Sequence, residues 1–186
     1  MRRDARIRRD ALITAAADSF AERGYSVPLE EVAARAGVGR GTLYRNFRDR
    51  EALAIAIFER EIDRVDEIVA GDRPFRQTLV DLALGSVHGT ALFARIATEL
   101  VADPANMAAL EALGTRLAGA LDPLARRARA NGDVRDDVDG ARLGLALQMV
   151  GGLFYDPHTE AAAMRRLNEA LDIVLDGIRP PHGRTI

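Results

Sequence analysis

Apolar positions recur at intervals of three and four residues along almost the whole chain. That is the period of a helix with one buried face, whereas the two-residue alternation of a half-buried strand is scarce. Leu12, Ala16 and Phe20 form the first stripe, with Ala15 and Ser19 beside it. The stripe predicts a helix from about residue 5 to 23, ended by Gly24, a residue suited to the turn past a helix C-terminus. A second, short helix is predicted from Pro28, which suits the first helical position because its missing N–H would have no partner there. Glu30 and Glu31 then fall in the first turn, where the helix dipole favours anions. Leu29, Val32, Ala33 and Ala36 face inward, and Gly37 ends the helix. A third follows Gly39 and stops near Phe47, and Asp49 is placed to cap a long fourth.

Further helices are predicted over 49–70, 74–88, 90–102, 105–131, 139–155 and 160–178, with Gly-, Pro- and Asp-rich breaks between them. Pro123 falls inside 105–131 and predicts one kinked helix rather than two. The fold class is therefore all-α, with about nine helices.

Apolar residues make up 48% of the 186 positions and charged residues 29%, the balance of a folded rather than a disordered chain. No apolar run approaches the roughly 20 residues of a membrane span, and the charged N-terminus leads into no apolar export segment. A cytoplasmic location without membrane attachment is expected. Cysteine is absent, which excludes disulfides, thiolate metal sites and cysteine nucleophiles. The net charge of −2 conceals an asymmetry: residues 1–50 carry net +4 and the remainder net −6. Such a division fits a DNA-facing head on an acidic body. By itself it does not choose between that and an ordinary solvated face, because every basic residue is Arg and the composition is biased toward Ala. Arg2, Arg3, Arg6, Arg8 and Arg9 likewise read either as a solvated tail or as an arm that reaches phosphates.

Residues 28–47, PLEEVAARAGVGRGTLYRNF, break the tie. A helix-turn-helix needs two short helices at a steep angle, joined by a turn of three or four residues that often contains Gly. Val32, Ala33 and Ala36 give a narrow inner face on the first of these helices. Gly37 permits the turn, Val38 plugs the gap beneath it, and Leu43 anchors the second helix. Phe47 closes a three-helix core with Phe20 and Leu12. Arg40, Thr42, Tyr44, Arg45 and Asn46 are left outward, with guanidinium forks for guanine edges and phosphates, an amide suited to adenine, and hydroxyls for phosphate oxygens. Gly39 and Gly41 leave room for a phosphate to approach the backbone.

The spaced residues Leu12-x-x-Ala15-Ala16-x-x-x-Phe20-x-x-x-Gly24-Tyr25, Val32-Ala33-x-x-Ala36-Gly37-Val38, Gly41-Thr42-Leu43-Tyr44-x-x-Phe47 and Arg50-Glu51-x-Leu53 resemble the tetracycline-repressor (TetR) family of regulators. The resemblance implies an N-terminal DNA-binding domain over 1–48 and a helical effector-binding and dimerisation domain over 49–186. It implies DNA contacts from Arg40, Gly41, Thr42, Tyr44, Arg45, Asn46 and Arg50, with Thr42, Tyr44 and Arg50 on phosphates. It also implies a homodimer paired through helices within 139–178, a double-stranded operator, and a small-molecule effector held by the central helices. Gly39 stands where the family usually has Ser or Thr, so the side-chain cap of the third helix is missing.

In 139–178 the composition is compatible with pairing. Leu143, Leu145, Leu147, Met149, Val150, Leu153 and Phe154 surround one helix, and Gly140, Gly144, Gly151 and Gly152 provide small positions for another helix to approach. Met164, Leu167, Leu171, Val174 and Ile178 form a seam on the next. An effector of largely apolar character fits the middle of the chain, with Phe93, His88, Met107, Gln148 and Tyr155 as candidates to contact it. The expected action is repression by operator occupancy, relieved by the effector. The alternative is a helical binding or adaptor module without regulated DNA binding.

Other chemistries find little support. Residues 37–42 hold several glycines, but they follow a helix rather than a strand and lack the lysine of a phosphate-binding loop. His88, His158 and His182 have no partner at ligand spacing. Asp133, Asp136, Asp137 and Asp139 lack calcium-loop spacing and read as a polar loop that caps the next helix. No catalytic constellation, metal site or cofactor motif is read, so the chain is not expected to be an enzyme.

Overall fold

The computed structural model describes residues 2–84, 96, 100–151 and 160–180. The described residues are helices and their connections, with no strand among them. The elements are α1 (Arg2–Arg23), α2 (Leu29–Arg35), α3 (Arg40–Asn46), α4 (Arg50–Val69) and helical residues 75–84, here α5. A 3-10 turn (Pro104–Asn106) leads into α6 (Met107–Ala130), followed by α7 (Gly140–Gly151) and α8 (Glu160–Ile178).

Two compact units divide the chain: residues 1–61 with 92–111, and residues 62–91 with 112–186. In the first, Leu12, Ala16, Phe20, Val32, Leu43 and Leu53 are completely buried, so the stripe of α1 and the inner faces of α2, α3 and α4 make the core. Phe20 meets Tyr25 edge-to-face, ring centroids 5.3 Å apart. In the second, Leu121, Leu124, Leu143, Leu167 and Leu171 are buried to within 1%.

Helix ends follow local chemistry. Gly24, with φ +90°, returns its N–H to the Phe20 carbonyl at 3.0 Å. Gly37, with φ +67°, sends its N–H to Ala34, and Val38 sends its N–H to Ala33, both at 3.0 Å. Those two bonds satisfy carbonyls that the end of α2 would leave unpaired. Gly132 closes α6 in the same way, with bonds to Arg129 and from Asp133 to Ala128. Asp49 caps α4 by accepting from the Ala52 N–H at 2.7 Å. Asp139 caps α7 by accepting from Arg142 at 2.9 Å, and Asp137 pairs with Arg135 and Arg142. The acidic cluster is thus a capped, ion-paired loop.

Two expectations shift, and a third holds. α1 begins at Arg2 rather than near residue 5, so the arginine-rich start is helix and not tail. Arg and Ala are strong helix formers, and Asp4 sits favourably in the first turn. Pro28 is the N-cap of α2, with ψ 133°, not its first helical residue. Its carbonyl accepts the first helical bond, from Glu31 at 3.1 Å. Pro123 lies inside a single 24-residue helix, α6, as the pattern predicts.

Gly140 and Gly144 of α7 serve a neighbour in the same chain. A Cβ on Gly140 would lie 2.0 Å from the Ala118 carbonyl oxygen of α6, and the Gly140 N–H donates to Asp122 Oδ1 at 2.9 Å. Gly144 faces Leu121 and Leu117. The seam of α8 also turns inward: Leu167 and Leu171 are buried, and Met164, Val174 and Ile178 half-buried.

Candidate nucleic-acid interface

The interface is built on α3, a seven-residue helix too short to hold itself in water. Its stability comes from Leu43, completely buried, and from Phe47 immediately after it, 3% exposed. Gly39 precedes α3 in extended conformation (φ −77°, ψ 155°) with no side-chain cap, and its carbonyl accepts from Thr42 at 2.8 Å. One buried leucine and one buried phenylalanine therefore fix which side of α3 faces out.

Arg40, Gly41, Tyr44 and Arg45 are exposed on that side, and Thr42 and Asn46 are half-buried. Arg45 Nη2 donates to Thr42 Oγ1 at 3.3 Å, and Asn46 Nδ2 donates to the Thr42 carbonyl at 2.8 Å. The Arg40 guanidinium lies over the Tyr44 ring, 5.5 Å from its centroid. Six of the seven predicted DNA-contacting residues thus share one short helix. Nothing within 4 Å would meet a Cβ on Gly39 or Gly41, so the backbone there is open to an approaching group.

Arg50 is engaged elsewhere. Its Nη1 donates to the carbonyls of Tyr25 and Val27, the latter at 2.6 Å. Its guanidinium lies 5.4 Å from the centre of the Tyr25 ring and 5.9 Å from that of Phe20. The side chain ties the start of α4 to the turn between α1 and α2.

Glu30 belongs to the site, although the sequence suggested only a dipole role. Its carboxylate lies 3.3 Å from Arg40 Nε and 3.5 Å from the Tyr44 hydroxyl. Its place two residues after the Pro28 cap was legible, but not the closeness of α3.

Ion pairs also link α1 and α2 at the surface. Arg35 donates to both Glu22 oxygens, at 2.6 and 2.8 Å, with Asp18 3.5 Å away, and Arg23 pairs with Glu31. The hydrogen bond from Arg35 holds the Glu22 carboxyl below its ordinary range.

Of the five effector candidates, Phe93, His88 and Tyr155 lie outside the described residues. Met107, 39% exposed, opens α6, and Gln148 is exposed on α7. Beside Gln148 stand Leu145 and Met149, 59% and 64% exposed, and on α8 Ile173 is 75% exposed. Ile173 lies outside the seam read from sequence; its off-stripe position was the only signal. No helix among the described residues is long and apolar enough to cross a membrane.

Residues 12–57 match the family model described as bacterial regulatory proteins, tetR family. A TetR transcriptional regulator from Streptomyces coelicolor is 30% identical, with a TM-score of 0.65 over 94% of this chain and 99% of that one. A TetR transcription regulatory protein from Mycobacterium vanbaalenii is 27% identical over 96% and 99% of the two chains, with a TM-score of 0.60. The HTH-type transcriptional activator FasR of Mycolicibacterium smegmatis is 37% identical over 75 residues, 40% of this chain. That match spans 33%, about a third, of the activator's length.

Proposed function

Because the chain belongs to the TetR family of bacterial regulatory proteins, we propose that it is a transcriptional regulator rather than an enzyme, acting in the cytoplasm as a homodimer on a palindromic operator. The observation that carries this reading is the exposed face of α3, with Arg40, Thr42, Tyr44, Arg45 and Asn46 held outward by buried Leu43 and Phe47. Arg45 and Asn46 have the donors to read guanine and adenine edges, while Thr42 and Tyr44 suit phosphate oxygens. Gly41 lets the backbone approach the duplex, and Arg50 orients the start of α4 behind α3. Functionally, residues 1–48 serve as the DNA-binding part and 49–186 as the effector-binding and dimerisation part. Leu145, Met149 and Ile173, exposed on α7 and α8, favour self-association through that region.

Regulation is by operator occupancy, released by a small, largely apolar effector. The effector acts only through its unequal affinity for the two forms of the dimer. Phe93, His88, Met107, Gln148 and Tyr155 remain its candidate contacts, on the strength of the family resemblance, and α4 is the covalent connector because its residues continue from one unit into the next. The relative from Mycolicibacterium smegmatis carries the name of an activator. The same DNA contact serves either sign of regulation, and repression is the simpler consequence of an occupied promoter.

Selection from random duplexes tests the reading. The protein should enrich an inverted repeat, with affinity that falls steeply with salt. In the enriched site, replacement of Arg45 or Asn46 by Ala should shift base preference by about 1–3 kcal/mol at one position per half-site. Failure to enrich any duplex at low salt would overturn the proposal in favour of an adaptor module.

A further inference from the structure

Arginine is the only basic residue type before the histidines, and the structure uses most of it internally. Arg23, Arg35, Arg40, Arg73, Arg76, Arg116, Arg135 and Arg142 are held by carboxylates, and Arg50 and Arg127 by carbonyls. The first turns of α1 are different. Arg3, Arg6, Arg8 and Arg9 are exposed, and Arg3, Arg6 and Arg8 make no hydrogen bond or ion pair among the described residues.

Their placement on the helix is specific. Arg3, Arg6 and Arg9 follow one another at three-residue intervals and so lie on one side of α1. The last of the three has a fixed neighbour: the Arg9 guanidinium is 5.1 Å from the centre of the Phe47 ring. Phe47 is the C-cap of α3. The stripe therefore starts beside the end of the helix that carries the proposed base-reading residues and runs away from it along α1. A row of guanidiniums without carboxylate partners among the described residues, in that position, matches the phosphate backbone of a duplex in charge.

We propose that Arg3, Arg6 and Arg9 form a second DNA-contacting element, which grips backbone phosphates adjacent to the bases faced by α3 and lengthens the footprint of each protomer. This rests on the DNA-binding reading above. It adds affinity without base preference, because phosphates carry no sequence information.

The test is a salt titration of affinity for the selected duplex, with the full chain and three variants. Arg3→Gln with Arg6→Gln removes two proposed contacts and leaves Arg9 on Phe47. Each lost phosphate contact lowers the slope of log affinity against log salt by about 0.9, so the double variant should lose about 2 per protomer. Hydroxyl-radical protection should retreat at the outer edge of each half-site, with base preference unchanged. Arg3→Lys with Arg6→Lys should keep the slope, and Arg126→Gln, on an exposed position of α6, should not change it. An unchanged slope and footprint in the Gln variant, with wild-type binding intact, would overturn this inference alone. Absence of binding by the wild type would overturn the DNA-binding reading and this inference with it. A slope lost equally in the Lys variant would show a fold defect at α1 and also overturn it.

Discussion

Gly37 adopts φ +67°, and a Cβ there would meet nothing within 4 Å. Its requirement for glycine is therefore conformational and not steric. Gly41, four residues on, lies inside α3 without a positive φ and with equally open space. The two should respond oppositely to alanine. Gly37→Ala should destabilise by about 1–2 kcal/mol, the cost of a left-handed backbone for an L-residue. Gly41→Ala should stabilise by about 0.5 kcal/mol, because alanine loses less entropy in a helix. Urea denaturation measures both. If the Gly41 backbone approaches a duplex as proposed, the stabilised Gly41→Ala protein should nonetheless bind DNA more weakly. The contrast also marks what the sequence makes legible. A glycine at a helix end announces its role because the constraint is local. Arg50 does not: its charge is visible, but the Tyr25 and Val27 carbonyls that hold it come from more than twenty residues away. Resemblance to a family implies a phosphate contact for that guanidinium, and the folded chain holds its Nη1 on two carbonyls.

Between helices the same limit applies, and α1 and α2 illustrate it. Their apolar faces follow from periodicity alone, and Leu12, Ala16, Phe20 and Val32 are buried as the pattern requires. Which charges meet across the two helices is decided by the angle and the register, which no stripe reveals. Glu22 meets Arg35, thirteen residues away, and its carboxyl is held below the ordinary range chiefly by that hydrogen bond. A folded-state value below the unfolded one means that the group favours folding fully above the ordinary carboxylate range. The contribution then fades as pH falls through the depressed value. The stability difference between wild type and Glu22→Gln should thus be constant from about pH 8 to pH 5 and shrink below about pH 4. Thermal melts across that range read it directly, and a difference that grew toward low pH would contradict the assignment. Both partners are exposed, so the effect is small and weakens with added salt. Gly140 shows the complementary failure of pattern. Small residues on α7 suggested that some helix comes close, and one does, but it is α6 of the same chain, whose Ala118 carbonyl leaves no room for a Cβ.

For the whole chain, compactness depends on which later segments return to earlier ones. Residues 92–111 group with 1–61, a return that a motif ending near residue 48 gives no means to foresee. The proposed self-association depends on the same kind of accounting. With Leu167 and Leu171 buried within the chain and Gly140 and Gly144 facing α6, other apolar side chains are left exposed among the described residues of the two helices. There Leu145, Met149 and Ile173 are each more than half exposed. A stable dimer buries about 800 Å² per partner with an apolar centre, and these three side chains are suited to supply that centre. Leu145→Glu with Ile173→Glu would set like charges against each other there without disturbing the buried faces. Light scattering should then give the mass of one protomer, while the melting temperature of the folded helices falls only as far as loss of the dimer requires. Affinity for an inverted repeat should drop to that for a single half-site, because the second recognition helix is no longer delivered by the first. A variant that stays dimeric and keeps its preference for the repeat would place the interface on another surface, and Leu145 and Ile173 would need a different partner.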